Sequence, residues 1–101
     1  MMQSGNRKEG PNFMAEVSQK QQCTITVVYD NRQRDVWPSL ERIQQRFRTI
    51  IRASLRASMN NDTALEFILL QGDDARIKDL LEQLKSRKGV RSVDLTVIPA
   101  S

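Results

Sequence analysis

The stretch of sequence that decides the fold covers residues 50–71 and reads IIRASLRASMNNDTALEFILLQ. Its first half alternates between apolar and polar residues, which is the period-two pattern of a half-buried strand. The polar run at residues 60–62 predicts a tight hairpin turn, and residues 63–71 form the returning strand. We expect the apolar side of this hairpin to face the core, and its members are Ile51, Ala53, Leu55, Ala57, Met59, Leu65, Phe67 and Leu69.

The length of the turn sets which residues face each other across the hairpin. A tight turn pairs Ser58 with Ala64, and this register places Arg56 opposite Glu66. Two interpretations of the charged pair stay open. It is either part of a remodelled ligand pocket or an ordinary cross-strand pair, which stabilises a sheet by about 0.2–1 kcal/mol.

The segment before the hairpin predicts a strand followed by a helix. Residues 23–29 read CTITVVY, a β-branched and alternating run that is typical of a strand. Asp30 opens a turn, and Asp35 is the expected N-cap of the helix. The buried stripe of this helix recurs at helical spacing and consists of Val36, Leu40, Ile43 and Phe47.

The segment after the hairpin predicts a second helix and a last strand. Gly72 ends the returning strand, and Asp73 or Asp74 caps the helix. Gly89 is its expected C-cap, and residues 90–98 alternate as a strand. The apolar stripe of this second helix consists of Ile77, Leu80, Leu81 and Leu84.

The order of elements predicts the α+β class, as a ferredoxin-like βαββαβ sandwich. Right-handed crossovers give a four-stranded antiparallel sheet with two helices on one face. We expect residues 1–22 to form a flexible polar tail and residues 23–101 to form one domain. The other sheet face has no helix cover, and an apolar face of this kind usually packs on a copy of itself. Its expected apolar members are Thr26, Val28, Ile68 and Leu70.

Composition narrows the classes of function. The chain has no histidine and a single cysteine, Cys23, and its net charge is +4. Without histidine it lacks the commonest general base and metal ligand, and we see no nucleophile paired with a base, so we expect a non-enzyme. A single cysteine and the absence of an apolar run of membrane-spanning length predict a cytoplasmic protein without a membrane partner.

Some residues allow a functional and a structural interpretation. Cys23 is either a redox-active thiol or, more commonly for a lone cysteine at a strand start, a small buried apolar residue. Trp37 is either part of a surface patch or a plug at the edge of the core. An arginine series marks either a phosphate-binding surface or a solvated face, and it consists of Arg32, Arg34, Arg42, Arg46, Arg48, Arg52 and Arg56.

Short motifs between Tyr29 and Ile98 resemble the C-terminal domain of the nickel-responsive repressor family NikR. They are Tyr29-Asp30, Arg34-Asp35, Gln44-Gln45, Asn61-Asp62, Leu65-Glu66, Leu70-Gln71-Gly72-Asp73 and Lys88-Gly89-Val90-Arg91. The resemblance implies an ACT-like domain that packs into tetramers through its sheet faces, with nickel at that interface. It also implies a role in transcriptional regulation.

Carried over position by position, the nickel ligands of that family fall on residues that do not bind nickel. The histidine at the end of the first helix falls on Gln45, the two strand histidines on Arg56 and Ser58, and the cysteine on Ala64. Square-planar nickel prefers imidazole and thiolate ligands, so we expect no nickel and no other cofactor. With Glu66, these positions form an expected remodelled pocket at an interface.

The resemblance also bears on partners. The repressors of the family carry a ribbon-helix-helix module before this domain, and residues 1–22 are too short and polar to supply it, so we expect no direct DNA binding. We expect a dimer or tetramer, with a full-length NikR-like or ribbon-helix-helix regulator as a second possible partner. The alternative is a stand-alone ACT-like scaffold or metabolite-binding protein, whose small-molecule ligand would lie at the turn formed by Gly72 and Asp73.

Overall fold

The computed structural model describes residues 20–99, which form six elements in the order strand, helix, strand, strand, helix, strand. We number them β1 (Gln21–Asp30), α1 (Val36–Arg46), β2 (Ile51–Ser58), β3 (Thr63–Gly72), α2 (Asp74–Lys85) and β4 (Val90–Ile98). The strands form one sheet in the order β2-β3-β1-β4, and every neighbouring pair is antiparallel. The predicted ferredoxin-like fold is therefore confirmed.

The central strand β1 alternates as its sequence predicts. Cys23, Ile25, Val27 and Tyr29 are each at most 1% exposed, because they face the layer of helices. The strand begins at Gln21 rather than at Cys23. Residues 1–19 of the expected tail lie outside the described residues.

Helix α1 buries the predicted stripe, with Leu40 and Ile43 fully enclosed. Each fully buried aliphatic side chain of this kind contributes about 1.5–3 kcal/mol. Asp35 is the N-cap residue as predicted, and its carbonyl accepts from the Ser39 amide at 3.2 Å, but its side chain makes no capping hydrogen bond. The helix instead begins on a turn in which the Val36 amide donates to the carbonyl of Gln33 at 3.4 Å.

Helix α2 begins on a true cap and ends earlier than predicted. The Asp73 carboxylate accepts a hydrogen bond from the Arg76 amide at 2.8 Å. The C-cap is Ser86, so the expected C-cap at Gly89 was wrong. Gly89 has a φ of +91°, a left-handed conformation that favours glycine, and it leads the chain into β4.

The hairpin of β2 and β3 has the predicted register, with Ser58 opposite Ala64 and Arg56 opposite Glu66. Its turn is held by the Asn60 side chain, whose oxygen accepts from the amides of Asp62 and Thr63. The alternation on β2 is interrupted by a bulge between Ile51 and Ala53. Ile51 therefore packs against the core, whereas Ala53 and the following odd-numbered residues face the other side of the sheet.

The predicted orientation of this hairpin was wrong. Ala64 and Ile68 lie in the core, whereas Leu55 is 64% exposed and Phe67 and Leu69 are each 40% exposed. The physical reason is the pairing with β1: Tyr29 lies opposite Ala64 and Ile25 opposite Ile68, and directly opposed residues share a face. Because β1 is buried on that side, the polar side chain of Glu66 points inward with its neighbours.

The sheet face opposite the helices is open and partly apolar. Thr26 and Val28 belong to it as predicted, but Ile68 and Leu70 do not, since both are buried in the core. The apolar side chains on this face that sequence reasoning assigned to the core are Leu55, Leu65, Phe67 and Leu69. Neither helix between residues 20 and 99 has the length and hydrophobicity that crossing a membrane requires.

Candidate functional site

A polar cleft lies between α1 and the edge strand β2. Its helical wall consists of Trp37, Glu41, Gln44 and Gln45, which lie beside the buried apolar stripe, and Arg48 adds to the wall from the turn after α1. The strand side contributes Ile51 and Ser54, and the cleft has a volume of about 350 Å³. A cavity of this size accommodates a small molecule.

Glu66 is a buried carboxylate beside this cleft. Its side chain is 1% exposed, and Oε2 accepts a hydrogen bond of 3.0 Å from the amide nitrogen of Gln44. Oε1 is also buried and has no hydrogen-bond partner. An unsatisfied buried acceptor of this kind costs about 1–3 kcal/mol, and more when the group is charged.

Burial raises the pKa of Glu66 above its ordinary value of 4.5. The Gln44 hydrogen bond, the charge of Arg56 and the Ser54 hydroxyl act in the opposite direction, and the negative charge of Glu41 adds to the increase. The hydroxyl of Ser54 favours the ionised form but makes no hydrogen bond of good geometry to Oε1. Burial is the largest of these influences, so Glu66 holds its proton to a higher pH than an exposed glutamate.

Arg56 lies opposite Glu66 in the sheet but forms no ion pair with it. Its Nε donates to the hydroxyl of Tyr29 at 2.9 Å, and its guanidinium lies 4.8 Å from the centroid of the Trp37 ring. A cation over an aromatic face contributes about 0.5–1 kcal/mol at an exposed site. The simple cross-strand ion pair is therefore absent, and Arg56 links β2 to β1 and α1 instead.

The Tyr29 hydroxyl that accepts this hydrogen bond is itself buried. Burial raises the pKa of Tyr29, while the hydrogen bond and charge of Arg56 lower it. Tyr29 thus stays protonated at neutral pH and holds the arginine in place.

The four positions that the family resemblance assigns to nickel carry unsuitable side chains, and of the four only Gln45 lines the cleft. Gln45 lines the cleft near the end of α1, and Ala64 is completely buried. The hydroxyl of Ser58 accepts from the Asn31 amide nitrogen at 3.1 Å, and Arg56 is bound as described above. An amide, a guanidinium, a hydroxyl and a methyl group do not fit nickel, which prefers imidazole and thiolate.

Other donors in the described chain do not replace these ligands. Cys23 is buried on β1 and does not line the cleft, and burial raises the pKa of its thiol. Between residues 20 and 99, no three side chains of the types His, Cys, Asp and Glu come together closely enough to hold a metal ion.

The second expected site, Gly72 and Asp73, lies at the other end of β3 from Ala64. Gly72 packs against Ile50, whose Cγ2 would lie 2.7 Å from an added Cβ. The Asp73 carboxylate caps α2. The structure therefore separates this turn from Ala64 along the full length of β3, and places it beside Ile50, which immediately precedes β2.

Sequence reasoning missed the residues that α1 and β1 bring to the site. Gln44 and Tyr29 entered the prediction only as motif residues, whereas in the structure they bind Glu66 and Arg56. The helical spacing of Trp37, Glu41 and Gln44 was the available signal, because it marks one continuous stripe beside the apolar one.

Comparison with known proteins agrees with this fold. An uncharacterized protein from Thermotoga maritima superimposes with a TM-score of 0.72 at 21% identity, covering 79% of this chain and 99% of that one. The ACT domain of a GTP pyrophosphokinase from Chlorobium tepidum gives a TM-score of 0.64 at 14% identity, covering 76% and 99%. Identities this low establish the fold only.

Relatives found by sequence share a higher identity with this chain than these two structures do. A protein from Methanococcus vannielii named "Putative nickel-responsive regulator" is 39% identical over 75 residues, covering 74% of this chain and 53% of its own length. A protein of the same name from Methanocella arvoryzae is 34% identical over 86 residues, covering 85% of this chain and 61% of its own. The chain thus spans about half the length of the curated relatives it matches.

The family described as "NikR C terminal nickel binding domain" matches residues 22–98. This match contains all four strands and both helices, apart from the first residue of β1. The chain therefore belongs to the family of NikR C-terminal domains.

Proposed function

We propose that this chain is a non-catalytic regulatory and oligomerisation module, linked to transcriptional regulation and degenerate at the nickel site. The observation that carries the proposal is a family scaffold with Gln45, Arg56, Ser58 and Ala64 where the resemblance places the metal ligands. The relatives named as nickel-responsive regulators support a regulatory role. The chemistry of these four residues supports a response to something other than nickel.

The geometry of Arg56 strengthens the argument against nickel. Its guanidinium is held between Tyr29 and Trp37, so it keeps a positive charge beside the position where a metal cation would lie. Like charges repel strongly at short range in a partly buried site. Arg56 therefore opposes a metal ion in addition to supplying no ligand.

Self-association through the open sheet face is the second part of the proposal. Leu55, Phe67 and Leu69 lie on adjacent strands and line a shallow groove with a volume of about 350 Å³. Thr24 and Thr26 of β1 line the same groove. A contiguous apolar face rimmed by polar residues is typical of a protein–protein interface, most often between copies in a two-fold dimer.

Co-assembly with a full-length NikR-like or ribbon-helix-helix regulator, in the cytoplasm, belongs to the same proposal. Direct DNA binding is not part of the proposal, and two arginines of the helical layer make contacts within the domain. Arg46 donates to Gln83 at 2.7 Å, and Arg76 lies 4.5 Å from the centroid of the Phe47 ring. The alternative is a stand-alone ACT-like protein that binds a small metabolite, and the polar cleft is the observation that favours it.

Equilibrium dialysis against nickel, with light scattering on the same samples, tests both parts. We expect no stoichiometric nickel and a mass of two or more chains. Phe67→Asp places a charge at the centre of the open face and is expected to give monomers. Ala75→Asp adds the same charge to an exposed position on α2, so it is the matched control and should keep the wild-type mass.

The two parts of the proposal are refuted by different results. Stoichiometric nickel at micromolar concentrations would show that other atoms form a metal site and would end the degenerate-site proposal. A wild-type protein that is monomeric at all concentrations would end the oligomerisation proposal, as would a Phe67→Asp variant that keeps the mass of the Ala75→Asp control.

A further inference from the structure

The last half of β4 leaves apolar side chains uncovered on the helix side of the sheet. Leu95 lies opposite Ile25. Val97 lies opposite Cys23, and directly opposed residues share a face. Ile25 and Cys23 are at most 1% exposed, whereas Leu95 is 38% and Val97 is 51% exposed. Helix α2 therefore covers β1 but does not extend over the outer edge of β4.

A shallow apolar groove runs along this edge between α2 and β4. Ile77 and Leu81 form its helical wall, and Leu95 and Val97 contribute from the strand. Its volume is about 310 Å³. Apolar surface beside an open strand edge is typical of a surface that another chain covers.

The backbone of β4 is open as well, because β4 is an edge strand of the described sheet. Residues 95–98 read LTVI and carry no charge. The opposite edge strand, β2, carries Arg52 and Arg56, and charges of this kind protect an edge from pairing. The end of β4 lacks that protection and favours the addition of another strand.

We propose that β4 pairs antiparallel with β4 of a second copy, about a two-fold axis near Thr96, which centres the pairing on the uncharged run. The spacing of the layers supports this occupant. Since α2 packs over β4 and β1, the axis places the two α2 helices about two strand spacings apart, which is about 10 Å. Packed helices prefer about 8–10 Å, so the α2 helix of the second copy would cover Leu95 and Val97.

Charge complementarity at the rim of the groove also favours a copy of this chain. Asp74 and Lys78 are exposed, line the groove and lie about one helical turn apart. No ion pair joins them within the described chain. A two-fold axis makes the two helices antiparallel, which brings Asp74 of each copy toward Lys78 of the other, so the attraction occurs twice.

The inference rests on the proposed oligomerisation function and adds a second contact to it. A closed assembly of four chains, made from two pairs joined through the open face, contains two edge contacts. Two linked contacts hold much more tightly than one. We therefore expect the wild type to have the mass of four chains, whereas Phe67→Asp chains, which have a single edge contact available, remain monomers in dilute solution.

Light scattering on charge variants tests the rim. Lys78→Asp replaces attraction by repulsion at both symmetric positions, so the dissociation constant between pairs of chains should rise at least about tenfold and the mass should fall to two chains. Asp74→Lys should do the same. The double swap of Asp74→Lys with Lys78→Asp should restore the wild-type mass, which a folding defect would not allow. Lys88→Asp makes the same charge change at an exposed residue outside the groove and is the matched control.

Cross-linking locates the axis, and it is measured in Phe67→Asp chains at high concentration, where the open face makes no contact. Thr96→Cys places two thiols at directly opposed positions, whose Cα atoms are about 4.5–5.5 Å apart, within the range of a disulfide. Ser92→Cys is the matched control on the same face of β4, because its two copies would lie about eight residues, or about 27 Å, apart. The native Cys23 is buried, so chains without an added cysteine should not cross-link.

An unchanged mass in both single charge variants would overturn the inference, as would equal cross-linking of Thr96→Cys and Ser92→Cys. Either result would leave the groove to residues 1–19 of the same chain or to a different protein. The two proposals fail in different ways. A wild type of two chains that Lys78→Asp leaves unchanged refutes only the edge contact, and a monomeric wild type whose Thr96→Cys variant still cross-links refutes only the open-face contact.

Discussion

Because the carboxyl of Glu66 is buried, replacing it should change the unfolding free energy of the protein in a way that depends on pH. Glu66→Gln keeps an acceptor oxygen for Gln44 and removes the charge that burial disfavours. An unsatisfied buried acceptor costs about 1–3 kcal/mol. We expect the substitution to raise the unfolding free energy by about 1–2 kcal/mol at neutral pH, which is the lower half of the 1–3 kcal/mol range. The full gain is not expected, because the new amide nitrogen must itself find an acceptor such as Ser54.

The sign of the pH dependence follows from the direction of the pKa shift. The folded-state pKa of Glu66 lies above the ordinary 4.5, so the native state binds the proton more tightly than the unfolded chain does. The stability that protonated Glu66 contributes is fully present below pH 4.5 and is lost as the pH rises through the folded-state pKa. The advantage of Glu66→Gln should therefore appear as the pH rises and disappear below 4.5.

Urea unfolding followed by Trp37 fluorescence, at several pH values between acid and neutral, measures this difference. Glu82→Gln is the control, because its side chain is exposed and its effect should be small at every pH. A Glu66→Gln protein that is no more stable than the wild type at neutral pH would refute the reasoning. A stability difference that stays constant across the pH range would refute it as well, since the charge would then not be its cause.

Three further substitutions test the fold. Leu80→Ala removes a side chain with 0% exposure from the core and should cost about 2–5 kcal/mol in urea unfolding. Gly89→Ala places a Cβ at a φ of +91° and against Val36, so it should cost at least about 1–3 kcal/mol in the same assay. Asp30→Asn should flatten the acid limb of a stability–pH curve. The guanidinium and amide of Arg32 hold the pKa of Asp30 well below its ordinary 3.8, so the stability it contributes is present above 3.8 and lost as the pH falls further.

The sequence predicted those elements whose apolar pattern is long and regular. β1 and both helices carry periodic stripes, and their burial follows directly from them. The register of the hairpin was also predictable, because the turn at residues 60–62 is short enough to fix which residues pair. Local patterns were sufficient in these cases.

The orientation of the hairpin was not predictable from its own residues. Leu55, Phe67 and Leu69 form the more apolar side of the two strands, and yet they lie on the open face. Pairing with β1 decides which side of the hairpin faces the core. One side of β1 is strongly apolar and buried, and each β3 residue directly opposite a residue on that side faces the core with it. A bulge after Ile51 also switches the face of the sheet on which the odd-numbered residues of β2 lie, and the alternating sequence does not reveal this switch.

The site was predictable only in part for a related reason. Arg56 and Glu66 were placed opposite each other correctly, but their partners come from elements distant in sequence. Gln44 binds Glu66, while Tyr29 and Trp37 hold Arg56. The packing of α1 on the sheet, rather than the spacing along either strand, determines these contacts.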